Sequence, residues 1–318
     1  MASSGIDTPA LEPSPEGLAD RLNATMDLRF ADEPVGQVVS DLLELCKPAV
    51  TGLNLVVVLG AYALAGGAFD PAGLAALCLG TLAIVGSAEA MNMVLERETD
   101  KLMARTASRP LCRDRLSVET ATGFSLALGF VGVPLLALSH WGVAALGVFA
   151  WFAYVAVYTP MKRRHPSALL IGAVPGAVPP LMGWVAATGG IDAAAMLLFA
   201  LLVAWQMAHF LAIAMYRNDD YRRAGLKTVA VVRGVPAAKR QALGWSLVML
   251  ASSLGFGATG LVGPVYTAIA ALLGGVVLAM AAAGFRPGAG VPWARRFFLS
   301  SVIYLPLLLM ALAVDAVV

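Results

Sequence analysis

The sequence has little charge and few residues that bind metals through nitrogen or sulfur. Only 13% of its 318 residues are Asp, Glu, Lys or Arg, whereas soluble domains have about 25%. With a mean hydropathy of +0.78, this low charge excludes a soluble globular domain. The three cysteines, Cys46, Cys78 and Cys112, are scattered and form no paired metal or redox motif. No strand-type alternation is present, which excludes a membrane β-barrel.

The chain instead contains apolar blocks of roughly 18–25 residues, the length that crosses the hydrocarbon core as a helix. We predict an all-α polytopic membrane protein with nine transmembrane helices around a central cavity open to the cytoplasmic side. The predicted spans cover about residues 49–68, 72–95, 117–138, 142–159, 167–188, 193–215, 238–262, 264–284 and 294–316.

The distribution of basic residues predicts the topology. All 22 Lys and Arg fall in the N-terminal segment or near the connections after spans 2, 4, 6 and 8. The positive-inside rule therefore places the N-terminus in the cytoplasm and the C-terminus outside. We interpret residues 1–36 as a disordered cytoplasmic tail and residues 37–318 as the nine-helix domain. The absence of a secretory signal and the acidic tail favour a bacterial inner membrane.

Four polar side chains follow one helical stripe at the end of span 2. Glu89, Asn92, Glu96 and Asp100 are spaced 3, 4 and 4 residues apart, which places them on one helix face. Oxygen ligands on such a stripe can hold Mg²⁺, which proteins usually share with substrate phosphates. The alternative interpretation is a solvated helix end, since charges are common where a helix leaves the membrane.

Basic residues follow the stripe and recur in the later loops. Arg105 and Arg109 come directly after it, and arginine forks suit phosphate groups. Lys162 and Arg163 after span 4 are either phosphate contacts or topology signals. The loop after span 6 again mixes acids with basic residues. Because both long loops face the same side, one pocket can be lined from both.

Two further features lie within the predicted spans. His209 is the only histidine in a span, and it needs a polar partner there. That partner is either Gln206, one turn earlier on the same helix, which would make His209 structural, or the substrate. Span 5 is rich in Gly and Pro between Gly172 and Gly183. This composition indicates either a broken helix lining a cavity or close helix packing.

The run from Asn92 to Pro110 reads Asn-x-x-x-Glu-x-x-x-Asp-x-x-Met-x-Arg-Thr-x-x-Arg-Pro. It resembles the first allylic-diphosphate motif of the UbiA-type intramembrane prenyltransferases, and its Met-x-Arg-Thr-x-x-Arg-Pro portion is similar to the heme o-forming branch. Lys47-Pro48, the Tyr-Thr-Pro-Met-Lys-Arg run at 158–163 and His209-Phe210 occur in the order of that branch. The resemblance covers about residues 40–316.

The resemblance implies transfer of the farnesyl group of farnesyl diphosphate to the vinyl group of heme b, giving heme o and diphosphate. It implies Mg²⁺, with Mn²⁺ as the alternative ion, contacts with membrane lipid, heme a synthase as a candidate partner, and no nucleic acid. The implied metal ligands are Asn92, Glu96, Asp100, Asp219 and Asp220. The implied diphosphate contacts are Arg105, Arg109, Lys162, Arg163 and Lys227. The implied heme contacts are His209 and Tyr158, and the implied catalytic residues are Asn92, Glu96, Asp100, Lys162 and Asp220.

Two other functions stay open at this point. One is a prenyltransferase of the same type with a quinone-precursor or chlorophyll-type acceptor. The other is a membrane transporter with broken helices around a midplane site. The charges favour the enzyme, because they lie at the cytoplasmic edge rather than in the middle of the membrane, apart from Glu89.

Overall fold

The computed structural model describes residues 35–68 and 70–315, and all regular structure among them is helical. Residues 1–34 of the predicted tail lie outside the described residues. The chain divides after Asp41 into two units. The helices are α1 Val35–Leu45, α2 Pro48–Leu64, α3 Pro71–Asp100, α4 Val118–Ser139, α5 Trp141–Phe152, α6 Ala168–Gly176, α7 Val178–Thr188, α8 Ala193–Tyr216, α9 Asn218–Arg223, α10 Val229–Val232, α11 Val235–Gly255, α12 Pro264–Ala283 and α13 Val291–Asp315.

Eight segments among the described residues are long and apolar enough to cross a membrane, with a ninth if the bent pair α1 and α2 forms one span. The count agrees with the predicted nine only under that condition. The first predicted span corresponds to α2, which has 17 residues and begins at Pro48. It is short for a membrane crossing, which takes about 20 apolar residues.

Helix α3 extends beyond the predicted membrane span. It has 30 residues and ends at Asp100, so it includes the whole polar stripe that was predicted to be helical, whereas the span itself was predicted to end at residue 95. Its start is set by Pro71 in the first turn and by the Asp70 carboxylate, which accepts hydrogen bonds from the backbone N–H groups of Ala72 and Gly73 at 3.1 Å. Because the helix stays regular to its end, the spacing of the polar stripe remains helical as far as Asp100.

The predicted fourth span, which begins with helix α5, changes its helical winding near its end. Helix α5 continues into a π-helical stretch, Ala153–Tyr158, and then a short turn, Thr159–Met161. Such π-helical turns are rare and often lie at functional sites. This one carries Tyr154 and Tyr158, whose ring centroids lie 5.3 Å apart.

Helix α8 lies at the centre of the apolar core of the second unit. Its N-terminus is capped by Asp192, whose carboxylate accepts from the Ala195 N–H at 2.9 Å. The helix packs against α6, α11 and α13, and alanines and leucines along it are almost fully buried. Its remaining face lines the cavity described next.

Candidate active site

The polar stripe of α3 forms one wall of a cavity of about 490 Å³. Glu89, Asn92, Glu96 and Asp100 all line it. Asn92 is 1% exposed and Asp100 is 2% exposed. These residues are therefore not a solvated helix end, because their polar groups are held inside the protein.

Lys47 connects the deep end of the stripe to the start of α2. Its ammonium forms an ion pair with Glu89 and donates to Asn92 Oδ1 at 3.1 Å. The Asn92 amide nitrogen donates to Thr159 Oγ1 at 3.0 Å. The Tyr154 hydroxyl lies 3.2 Å from Glu89 Oε2. This network fixes the orientation of the Asn92 side chain and gives Glu89 two partners.

Glu96, one turn further along, is paired with Lys162. The Lys162 ammonium lies 2.9 Å from Glu96 Oε1 and 4.5 Å from the centroid of the Tyr158 ring. Burial acts to lower the pKa of Lys162, but Tyr158 and Glu96 outweigh it, so the pKa lies above its ordinary value. Lys162 is therefore protonated at neutral pH, on the wall that faces α3.

Asp100 ends the helix and is paired with Arg109 from the following loop. The loop turns back because the Thr106 hydroxyl donates to the Asp100 carbonyl at 2.8 Å. Arg109 and Arg105 both line the cavity, with Arg105 the more exposed of the two. Each of the last two carboxylates of the stripe thus has its own basic partner.

The loop after α8 reaches the same cavity through only some of its charged residues. The Lys227 backbone N–H donates to the Lys162 carbonyl at 2.9 Å, and Lys227 lines the cavity. Arg163, Asp219 and Asp220 are not among the described residues that line it. The Asp220 carboxylate instead pairs with Arg217, which immediately precedes its short helix α9, and with Arg223 at the end of that helix. Metal binding by the two aspartates and diphosphate binding by Arg163 stay predictions.

His209 and Trp205 line the cavity from α8, and Tyr158 lines it from the π-helical stretch after α5. The polar partner of His209 is Ser301 on α13, with Nδ1 and Oγ 2.9 Å apart. The proposed partner Gln206 donates instead to the Ala173 and Leu202 carbonyls, at 3.4 and 3.1 Å. Gln206, one of the two partners considered for His209 from the sequence, therefore joins α8 to α6 and does not pair with the histidine.

The Gly- and Pro-rich segment is both broken and closely packed. Helices α6 and α7 are separated only by Ala177. Gly172 and Gly176 line the cavity, and a Cβ atom at either position would overlap Tyr158 or Gln206, respectively. The glycines therefore let α6 approach its neighbours closely while forming part of the cavity wall.

The donor set on α3 fits a magnesium ion. Among residues 35–68 and 70–315, no three His, Cys, Asp or Glu side chains form a metal cluster. Mg²⁺ does not require one, because it is usually bound through one or two carboxylates together with substrate phosphates and water. Glu96 and Asp100 supply two carboxylates on one cavity wall, and Asn92 adds an amide oxygen.

Several residues of this site were not predicted from the sequence. Tyr154 and Ser301 belong to no motif, and Thr159 lies in the 158–163 run without a predicted role. Tyr154, Thr159 and Ser301 are 65, 67 and 92 residues away in the chain from their partners in the site. Trp205 could have been found, because it lies four residues before His209 on the same helix face. Their ring centroids lie 5.2 Å apart in a stacked arrangement.

The sequence model of the UbiA prenyltransferase family matches residues 54–302. The chain belongs to this family. It is 46% identical over 250 residues to a protoheme IX farnesyltransferase of Sorangium cellulosum strain So ce56, covering 78% of this chain and 89% of that protein. It is 45% identical over 281 residues to a protoheme IX farnesyltransferase of Anaeromyxobacter sp. strain Fw109-5, covering 88% and 95%.

Solved structures of UbiA-type proteins share the fold. A digeranylgeranylglyceryl phosphate synthase has a TM-score of 0.75 at 15% identity, covering 87% of this chain and 98% of that one. A UbiA homolog from Archaeoglobus fulgidus, solved with GPP and Mg²⁺, has a TM-score of 0.63 at 14% identity, covering 86% and 99%. The predicted all-helical architecture of a membrane prenyltransferase is thus confirmed.

Proposed function

We propose that this UbiA-family member transfers the farnesyl group of farnesyl diphosphate to a vinyl group of heme b, giving heme o and diphosphate. The observation that carries the proposal is a single cavity with acidic and basic residues on one side and His209 among aromatic rings on the other. The name shared by relatives at 45% and 46% identity supports heme as the acceptor. It favours heme over a quinone-precursor or chlorophyll-type acceptor, and an enzyme over a transporter.

The α3 wall binds the diphosphate end of the donor. When Mg²⁺ is bound, it neutralises charge on the diphosphate and makes it a better leaving group. Asn92, Glu96 and Asp100 would hold the ion through their oxygen atoms. With their carboxylate partners bound to the metal, Lys162 and Arg109 would be available to the phosphate oxygens, together with Arg105 and Lys227. These charges stabilise the negative charge that develops as the bond breaks.

The reaction breaks the bond between farnesyl C1 and oxygen, and the electron pair leaves with diphosphate. The π electrons of the vinyl group form the new carbon–carbon bond to C1. Positive charge then resides on the vinyl carbon next to the porphyrin ring, where water adds and loses a proton. Apolar residues of the cavity, among them Leu53, Val57 and Leu202, keep water away from the allylic cation until the vinyl group attacks.

The acceptor wall positions the heme. Tyr158, on the π-helical stretch after α5, and His209, on α8, both line the cavity. Trp205 adds a flat aromatic surface next to His209. By the positive-inside rule, the basic loops at the diphosphate end support a cytoplasmic location for that end in a bacterial inner membrane. The N-terminus is then cytoplasmic, and heme a synthase is a candidate recipient of the product.

The test uses the full-length protein in lipid nanodiscs with farnesyl diphosphate, Mg²⁺ and heme b. Mass analysis of the tetrapyrrole should detect heme o, and diphosphate should be released in equal amount. Parallel reactions contain a quinone precursor or a chlorophyll-type acceptor in place of heme. Prenylation of either of these acceptors with heme left unchanged would contradict the proposal.

A further inference from the structure

Ser301 lies behind His209 on α13 and is completely buried. Its hydroxyl donates to the Phe298 carbonyl one turn earlier, at 2.6 Å. The hydroxyl has only one proton, so its oxygen is left to accept a hydrogen bond from a neighbour. That neighbour is His209 Nδ1, 2.9 Å away. The donor in this second hydrogen bond is therefore the histidine.

This assignment determines the tautomer of the imidazole. If Nδ1 carries the proton, a neutral His209 has an unprotonated Nε2 with a free lone pair. No hydrogen bond joins Nε2 to any residue among 35–68 and 70–315. Because His209 lines the cavity while Nδ1 is bonded to Ser301, Nε2 is the nitrogen left for a ligand in the cavity.

The surroundings keep the ring in this orientation. The Trp205 ring is stacked on it at 5.2 Å, and the Phe298 ring lies at 4.8 Å. The Trp205 indole N–H donates to the Ser301 carbonyl at 2.7 Å. Ser301 therefore forms hydrogen bonds with both Trp205 and His209. A histidine that ligates a metal almost always donates its other ring N–H to such an acceptor, which fixes the tautomer and raises the basicity of the ligating nitrogen.

We propose that Ser301 is a positioning residue that holds His209 with Nδ1 protonated, so that Nε2 ligates the iron of the heme acceptor. The inference rests on the proposed function, because it takes heme as the substrate of this cavity. Ser301 itself does not line the cavity among the described residues and touches no substrate. Its effect on heme passes through the imidazole.

The experiment uses the full-length protein in nanodiscs with ferrous heme b and follows the iron–histidine stretching band by resonance Raman spectroscopy. We expect the band in the wild type and its loss in His209→Ala. Ser301→Ala should move the band to lower frequency and weaken heme binding by about 10- to 100-fold. Ser301→Thr, which retains the hydroxyl, should keep the band and the affinity close to those of the wild type.

Ser300→Ala is the matched control. Ser300 is the preceding residue of α13, and its hydroxyl donates to the Phe297 carbonyl at 2.7 Å without contacting His209. This variant should retain the wild-type band and heme affinity. Binding of farnesyl diphosphate with Mg²⁺ is measured on every variant as a check that the protein is folded. We expect this binding to be unchanged. If Ser301→Ala does not bind farnesyl diphosphate with Mg²⁺, the Ser301→Thr variant provides the test. Loss of the iron–histidine band in Ser301→Thr, with farnesyl diphosphate binding intact, would overturn the inference.

Two further results would overturn it while leaving the proposed function intact. One is a wild-type protein that forms heme o without an iron–histidine band. The other is wild-type heme affinity in His209→Gln, since an amide donates hydrogen bonds near the position of Nε2 but is a poor iron ligand. An unchanged band and affinity in Ser301→Ala would remove the role of Ser301 alone. If the wild type forms no heme o, the proposed function itself fails.

Discussion

The Lys162 ammonium lies 2.9 Å from Glu96 Oε1, although the two residues are 66 positions apart in the chain. The pair joins the turn after α5 to the polar stripe of α3. Arg109 makes the equivalent pair with Asp100 at the end of the same helix. Two acid–base pairs thus stand side by side on one cavity wall. A metal ion with a diphosphate would satisfy both kinds of partner at once, because the acids would bind the ion and the bases would bind the phosphates, as proposed above.

Replacing either carboxylate should nearly abolish turnover. We expect Glu96→Ala and Asp100→Ala to reduce heme o formation by about 100- to 1,000-fold, because the metal that stabilises the leaving group loses a ligand. Rates are measured in nanodiscs over a range of Mg²⁺ concentrations. Glu98→Ala is the control, since Glu98 lies on the same helix but is exposed and outside the cavity lining. Near-normal turnover in both variants would place the metal elsewhere.

Arg109→Lys should be impaired although the charge is retained. Lysine is a point charge and cannot form the two-pronged contact of a guanidinium with a phosphate. We expect at least a tenfold increase in KM for farnesyl diphosphate, with heme affinity unchanged. The same substitution at Arg113, an exposed residue outside the cavity lining, should have no effect. Full activity in Arg109→Lys but not in Arg109→Ala would mean that charge alone suffices.

The charge of Lys162 should persist through the alkaline range. Its pKa lies above the ordinary lysine value, so the stabilisation from its protonated form is complete at neutral pH and is lost only as pH rises through that raised pKa. We therefore expect the pH–rate profiles of the wild type and Lys162→Arg to have the same shape between pH 7 and about 9.5. If the wild type lost activity between pH 7 and about 9.5 while Lys162→Arg did not, Lys162 would be shown to titrate in that range.

The buried Lys47 and Glu89 side chains should be energetically coupled, so each single variant should lose more stability than the pair contributes as a whole. Lys47→Met leaves a carboxylate with low exposure, and Glu89→Gln leaves an ammonium without its charged partner. Breaking a buried pair costs about 3–5 kcal/mol, so each single variant should unfold at a lower temperature in detergent. The double variant should recover part of that loss, with a coupling of about 1–3 kcal/mol. Additive effects would mean that the pair is not coupled.

Topology is tested in a background in which the three native cysteines are replaced. A single cysteine is then introduced as Ser108→Cys or as Gly190→Cys. Ser108 lies in the basic loop after α3, and Gly190 lies in the connection between α7 and α8. Both positions are exposed. An impermeant maleimide should label Gly190→Cys in intact cells and Ser108→Cys only after permeabilisation. The reverse pattern would invert the proposed orientation.

The features that were predicted correctly are local in the chain. Membrane helices follow from runs of apolar residues, and the stripe from Asn92 to Asp100 follows from a spacing of four on a regular helix. The arginines after the stripe needed no long-range information either, because the loop that carries them turns back at once. The clustering of the cavity residues on α3 and the following loop was thus predictable from the sequence, because short-range periodicity controls it.

Tertiary structure decided the partners. Glu96 pairs with Lys162 and His209 with Ser301 because separate helices pack side by side, and no local pattern encodes which residues then meet. Asp220 carries the same carboxylate as Asp100, yet it pairs with Arg217 and Arg223, which lie near it in the chain, and it is outside the cavity lining. Metal binding by Asp220 stays a prediction. Only the packing of the helices determines which carboxylates face the cavity.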